Sequence, residues 1–371
     1  MGLYHFDTPQ KVMRIGHIQV GGQPGERPPV LCANMFQTGH KIVESRKPPR
    51  WDKAKARDEV KLVEEMSNET GVPAIIGIVA PSEDEIKAYC EWFLSVNDTM
   101  VFQIDTWTEE ARRAGARFVK AAGVQHRFNY NSITAWDPDI PNQVAELKEC
   151  GIKSVILQPF DAEDKRATGR VKSLRRILKD IEGGEFTSIL VDTTTMNLPT
   201  QGFCFLANRM VKEEFGLPVG NAPANGSYMW KAIIEKWGRP AFQGMDAAMH
   251  GIAAVMWNDW MAYGPTTGTR RVFAAVAAAV AMVTVMAWDE GLELPQDPNH
   301  PLNKHFPKEV DFMKGLRAAK SDRLMERQQA LGEKRRGAGD GPPVAGPSTG
   351  SRDAGDHDLL PESAAAIQPD K

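Results

Sequence analysis

Residues 100–133 read MVFQIDTWTEEARRAGARFVKAAGVQHRFNYNSI, and this stretch decides the fold. The run 100–106 is apolar and short, which predicts a strand. Thr108-Glu109-Glu110 then opens a helix, placing negative charge at its positive end. Gly123 stands just past the helix, where a left-handed cap favours glycine, and 127–133 forms the next strand. A strand, a helix and a strand in that order imply two parallel strands joined by a right-handed crossover.

The same unit recurs on both sides. Strands are expected at 30–36 and 73–80 before it, and at 154–160, 188–194, 218–223 and 259–264 after it. Asp52 to Glu69 is a helix capped by Asp52, with Val60, Leu62, Val63 and Met66 turned inward. Ser82 opens another helix, and Gly71, Gly151, Gly184 and Gly216 follow helical stretches as Gly123 does. Eight such units predict an α/β fold, a closed (β/α)8 TIM barrel. An open, doubly wound sheet is the alternative.

The barrel is expected over residues 1–290. A helical extension over 291–336 follows, with an added helix from Lys308 to Arg336, and then a flexible, disordered tail over 337–371 whose glycine- and proline-rich composition cannot bury a core. The chain of 371 residues carries a formal net charge of −3, which gives nucleic acid no broad electrostatic handle. Cys32, Cys90, Cys150 and Cys204 are scattered, without histidines at metal-ligand spacing. Reduced thiols in a cytoplasmic protein are expected, with no metal site. The N-terminus does not read as a signal peptide. Val272 to Trp288 is apolar enough to suggest a membrane span, but its alanine content and short length fit a buried barrel helix better, so no membrane insertion is expected.

In such a barrel, chemistry sits where the strands end. The strand ends here carry Asn34, Gln103 to Thr106, Asn129 to Ser132, Gln158 and Asp192 to Thr194, and Asn221 and Asn225 follow the seventh strand. Each taken alone reads equally well as a helix cap or an Asx-turn. Together they place two carboxylates and several amides at one mouth, with no Lys or Arg among them. That lining disfavours phosphate and suits a planar heterocycle bearing N–H donors. A pterin fits, because its amino group and adjacent ring N–H pair with one carboxylate in two parallel hydrogen bonds, while amides answer its other edge.

Several motifs then carry a resemblance. They are Val20-Gly-Gly-Gln-Pro-Gly-Glu26, Thr38-Gly-His-Lys-Ile-Val-Glu44, Glu64-Glu-Met-Ser67 with Thr70-Gly71, and Ile104-Asp105 with Glu110-Ala-Arg-Arg-Ala-Gly-Ala116. Tyr130-Asn-Ser-Ile133, Phe215-Gly-Leu-Pro-Val-Gly220 and Tyr263-Gly-Pro265 complete the ordered set. From about residue 13 to 290 the chain resembles the H-subunit family of tetrahydromethanopterin S-methyltransferase and its bacterial relatives, the methylcorrinoid:tetrahydrofolate methyltransferases. More distantly it is similar to pterin-binding barrels such as dihydropteroate synthase.

The resemblance implies methyl transfer between a methylcorrinoid, as cobalamin carried by a partner protein, and N5 of tetrahydrofolate. Tetrahydromethanopterin as the pterin and a non-catalytic pterin-binding subunit are the alternatives. It implies that Asp192 takes the pterin amino group and neighbouring N–H, that Asp105 and Asn131 meet the opposite edge, and that Asn225 lies near N5. Gln158 and Asn221 complete the expected pterin-binding set, with Asn225 and Asp105 in the catalytic roles. Ala224 stands where archaeal members have His, so Asn225 lacks that neighbour. No cobalamin-binding DxHxxG segment is present, so the corrinoid protein is expected to be separate, docking on the Gly21–Arg50 segment. A homodimer is also implied. Dihydropteroate synthase itself, or a methyltransferase that demethylates a small substrate directly, would be expected to show a cationic or a metal-ligating set that this chain lacks.

Overall fold

The computed structural model describes residues 2–319 and residue 325. A hairpin, β1 (Val12–Ile15) with β2 (Ile18–Gly21), leads into β3 (Val30–Met35), and a second hairpin, β4 (Val43–Arg46) with β5 (Pro49–Trp51), precedes α1 (Lys53–Thr70). Strand and helix then alternate: β6 (Ala74–Val79), α2 (Glu83–Val96), β7 (Phe102–Asp105), α3 (Glu109–Ala122), β8 (Phe128–Thr134), α4 (Ile140–Glu149), β9 (Ser154–Gln158), α5 (Ala167–Asp180), β10 (Ser188–Asp192), α6 (Gln201–Phe215) and β11 (Val219–Asn221). Two helices, α7 (Pro223–Met229) and α8 (Ala232–Val255), separate β11 from β12 (Trp260–Pro265), and α9 (Thr269–Asp289) and α10 (Pro301–His305) follow.

Strands β3 and β6 to β12 close into one parallel barrel in the order β10-β11-β12-β3-β6-β7-β8-β9. All eight strands expected from the sequence are there, and the open-sheet alternative falls. Outward residues such as Leu31, Ala33, Ile76, Ile78, Phe102 and Ile104 meet the helices in the main core. The interior is filled by Val30, Cys32, Ile75, Val101, Ile156, Leu190 and Trp260, packed with Ile15, Ile18 and Val20 of the first hairpin. That hairpin therefore plugs the end of the barrel where the strands begin, leaving the C-terminal ends as the open mouth.

The caps follow the sequence with one exception. Asp52, Ser82 and Thr108 accept from the backbone N–H groups of Lys55, Glu85 and Ala111. Gly71 holds φ 77°, and a Cβ there would lie 1.8 Å from the Asn299 carbonyl oxygen, so only glycine fits. Gly184 is not left-handed; α5 ends at Asp180 and closes on Ile181, whose N–H returns to Ile177.

The Gly21–Arg50 segment does not form one rim. Its first part stays at the plugged end, where the Thr284 hydroxyl donates to the Gly25 carbonyl at 3.0 Å. Its last part is the β4–β5 hairpin, which ends in Trp51. That ring packs edge-on against Phe36, Tyr89 and Trp92, with centroids 5.8, 5.0 and 6.1 Å away. Chain direction explains the split, because β3 runs through the middle of the segment from one end of the barrel to the other.

Among the described residues α9 is the one helix long and apolar enough to cross a membrane. Its Val272, Phe273, Val276, Val280 and Val283 are buried within the protein, as a core helix requires. The compact unit runs to Met313, past the expected boundary at 290. Leu294, Leu302, Val310 and Met313 cluster with Ala281 of α9, which draws the start of the extension into that unit. Residues 307–319 are helical. The remainder of the expected helix to Arg336, apart from Met325, and the expected tail over 337–371 lie outside the described residues.

Candidate functional site

Alternation along each strand decides which side chains enter the barrel. Beneath the mouth lies a buried polar layer in which the Ser154 hydroxyl donates to Asn129 Oδ1 at 2.7 Å and Asn129 Nδ2 donates to Gln103 Oε1 at 3.3 Å. Two residues further along β7 and β8 come Asp105 and Asn131, and across the barrel β10 ends in Asp192. Asp105 and Asn131 are register partners on β7 and β8. Asn34 Nδ2 donates to Asp105 Oδ2 at 2.9 Å, reaching from β3 across the intervening β6.

Gly77 of β6 makes that reach possible. It is the register partner of Asn34, and a Cβ on it would sit 2.7 Å from Asn34 Oδ1. A glycine inside an otherwise apolar strand signals a close approach of this kind.

Asp192 is set by the loop that follows it. Its Oδ1 accepts the Thr194 N–H at 2.7 Å, while Oδ2 takes no hydrogen bond among the described residues. Thr194 holds φ 57°, a left-handed conformation that costs a β-branched residue about 1–2 kcal/mol. Burial pushes the Asp192 carboxyl up to about 7, opposed by the Thr194 N–H and the Arg170 charge and reinforced by the charge of Asp105. Asp105 is also raised by burial, against the pull of its Asn34 hydrogen bond. The two carboxylates therefore feel one another across a poorly solvated mouth.

Of the other expected residues, Asn131 keeps its amide free of protein hydrogen bonds among the described residues and is only partly buried. Gln158 accepts from the Ser132 hydroxyl at 3.3 Å. Asn225 is exposed on the first turn of α7, its Nδ2 3.5 Å from the Thr195 carbonyl, and so stands on the rim beside the Asp192 loop.

Asn221 is a correction. Gly220, not Asn221, is the register partner of Asp192, so alternation turns Asn221 outward. Its oxygen accepts from Gln201 at 2.7 Å and its nitrogen donates to the Thr193 hydroxyl at 3.2 Å, within a sealed network against α6. It anchors the loop and is fully buried, away from the mouth.

The mouth is edged by exposed apolar side chains on the loops after β7, β8, β10 and β11. Trp107 and Trp136 are 65% and 55% exposed, and Met196, Met229 and Trp230 continue the edge. A cleft of about 1560 Å³ opens at the opposite end, bordered by His17, Arg27, Met100, Arg127 and His300. Barrels of this type do not place their chemistry there, so the strand ends and not the size of the cleft mark the site. Among the described residues no group of three or more His, Cys, Asp or Glu is placed to hold a metal.

Together these features define a class, a (β/α)8 barrel with a paired-carboxylate, amide-bearing mouth. Solved structures with a similar fold include dihydropteroate synthases from Yersinia pestis and Vibrio fischeri. Each has a TM-score of 0.50 and 13% identity; they cover 73% of this chain and 99% and 98% of their own. At that identity the likeness is one of fold. The particular family comes from sequence: the model for the tetrahydromethanopterin S-methyltransferase MtrH subunit matches residues 8–295, and the chain belongs to that family. The corresponding tetrahydromethanopterin S-methyltransferase subunit of Methanopyrus kandleri is 30% identical over 321 residues, covering 81% of this chain and 98% of the relative. That of Methanosarcina barkeri is 29% identical, covering 81% and 99%. The enzyme class is methyltransferase. The relatives carry tetrahydromethanopterin in their names, which puts that alternative ahead of the expected tetrahydrofolate.

Proposed function

We propose that this chain transfers a methyl group between N5 of a reduced pterin of the tetrahydromethanopterin type and a corrinoid held by a partner protein. The observation that carries the reading is the pair Asp105 and Asp192 at one mouth, with Asp192 Oδ2 and the Asn131 amide uncommitted. A carboxylate accepts the amino group and adjacent ring N–H of a pterin in two parallel hydrogen bonds, and an amide answers its mixed donor and acceptor edge. The corrinoid supplies or takes the methyl group by displacement at carbon. What falls to this chain is to fix the ring, exclude water and control charge at N5.

The exposed tryptophan edge supports docking of a partner over the mouth better than the Gly21–Arg50 segment does. In this reading Asn225, on that edge, hydrogen-bonds N5.

The test mixes the full chain with cob(I)alamin and either methyl-tetrahydromethanopterin or methyl-tetrahydrofolate, following the cobalamin spectrum. Faster transfer from the tetrahydromethanopterin substrate is expected. Absence of both transfer and calorimetric binding with either pterin overturns the proposal. Asn225→Ala is expected to slow transfer about tenfold, with the pterin Kd within about twofold of the parent, because it removes a contact to the reacting atom and leaves the ring clamp intact. A Kd that rises as much as the rate falls would place Asn225 in ring binding instead.

Gly77→Ala tests the floor of the site. The new methyl group displaces the Asn34 amide and strips Asp105 of its donor, so pterin binding is expected to weaken roughly five- to tenfold, about 1–1.4 kcal/mol for one charge-assisted hydrogen bond. Calorimetry at pH 8 reads this directly, and an unchanged Kd would remove Asn34 from the site.

A further inference from the structure

We propose that Arg170, outside the mouth and behind it, is a positioning residue that joins two mouth loops and favours the ionised, ligand-accepting form of Asp192. Arg170 lies on α5 and is 1% exposed. Its guanidinium donates to the Thr193 carbonyl through Nε and to the Thr194 carbonyl at 3.1 Å through Nη2, both on the loop after β10. Through Nη1 it donates to the Lys165 carbonyl and, at 3.2 Å, to the Arg166 carbonyl, both on the loop after β9. It also covers the Phe160 ring with 5.4 Å to the centroid. One side chain thus ties together the loops that follow Gln158 and Asp192.

Two features separate this from ordinary loop packing. First, among the described residues the guanidinium forms no ion pair; every hydrogen bond it makes goes to a backbone carbonyl. A buried charge without a countercharge acts on whatever titratable group lies nearest. The charged or titratable groups that influence Asp192 or feel its charge are Arg170 from α5, Asp105 from β7 and Cys204 from α6. Arg170 is the cation of that set, and it opposes both burial and the charge of Asp105. Second, the carbonyl it holds at Thr194 belongs to the residue with φ 57°, whose N–H is the donor to Asp192 Oδ1. The Thr193 carbonyl, held through Nε, shares its peptide plane with that N–H, so gripping it keeps the N–H turned toward the carboxylate. Charge and geometry act in the same direction, both favouring the ionised form.

The value of this for pterin binding rests on the reading proposed above, but the effect on Asp192 does not, and the experiment separates them. The full chain carrying 13C-carboxyl aspartate is titrated without ligand, the Asp192 signal being assigned by its loss in Asp192→Asn. Calorimetry with the tetrahydromethanopterin substrate is run alongside. In Arg170→Met the Asp192 midpoint is expected to rise by about one pH unit, with near-ultraviolet circular dichroism unchanged. In Arg170→Lys, which keeps the charge, it is expected to stay within about half a unit of the parent. Pterin affinity is expected to fall roughly fivefold at pH 7 and about twofold at pH 8 in Arg170→Met and to recover at higher pH, a profile that loss of packing alone does not produce. Should Arg170→Met not fold, Arg170→Gln takes its place with the same expectation. An Asp192 midpoint that is the same in the folded neutral variant and the parent overturns the proposal, as does an equal rise in the lysine variant. A parent that binds no pterin, with a midpoint that still follows residue 170, leaves this inference standing and removes the pterin reading.

Discussion

Asp192→Ala is expected to weaken binding of the reduced pterin by about 2–3 kcal/mol, roughly 30- to 150-fold. The size follows from the number and kind of hydrogen bonds lost. Asp192 brings one oxygen fixed by the Thr194 N–H and a second without a protein partner, so the carboxylate faces the mouth already oriented. Two parallel donors on a ligand then gain charge-assisted bonds without the cost of ordering a flexible acceptor. Asp192→Asn is expected to do as badly. Its oxygen still serves Thr194, but its NH2 group turns donor against donor toward the ligand. Asp105→Asn should be milder, because Asn34 already occupies one of its oxygens. Calorimetry on the three variants at pH 8 gives the ranking, and a pterin Kd in Asp192→Ala equal to that of the parent would end the assignment.

How much of this was readable beforehand follows from what sequence periodicity can and cannot encode. Most βα units announce themselves locally, through a short apolar run with a capping residue, a closing glycine or both, and so all eight barrel strands are legible. The strand-end positions of Asp105 and Asp192 are legible as well. Residues that act across strands are not. Asn34 reaches Asp105 over Gly77, and no local pattern states that β3 and β7 flank β6. Arg170 sits in GRVKSLRR, where one buried arginine looks like any of its solvated neighbours. Asn221 failed for the opposite reason. Its strand is three residues long, too short for alternation to show which face a side chain takes, and the register with β10 had to be seen. The Gly21–Arg50 segment misled as a single docking surface, because the strand expected at 30–36 runs through it and carries its halves to opposite ends.

The second large effect is on pH. The Asp192 carboxyl is raised from an ordinary 3.8 to about 7, so it changes charge within the working range. A protonated carboxyl offers one N–H acceptor fewer, and binding of two ligand donors requires release of the proton. Affinity is therefore expected to be level above about pH 8 and to fall roughly tenfold per unit below 7, about 100-fold weaker by pH 5. Stability moves the other way. Between pH 3.8 and 7 the folded protein keeps a proton on Asp192 that the unfolded chain has released. Stability from this group is thus complete below the unfolded value and is lost as pH rises through the folded one. At 1.36 kcal/mol per unit the ceiling is about 4 kcal/mol, and partial opening of the mouth to water reduces it to roughly 2–4. Asp192→Asn removes the titration, so it is expected to exceed the parent in stability at pH 8 by that amount and to match it near pH 4. Asp105 remains in both proteins, and the difference between the two urea-unfolding curves isolates Asp192 from it. A residue whose loss stabilises the fold while abolishing ligand binding is retained for the ligand. If the two proteins show the same stability difference at pH 5 and pH 8, Asp192 is not held near neutrality, and the mouth lacks the one carboxylate whose charge the ligand would have to command.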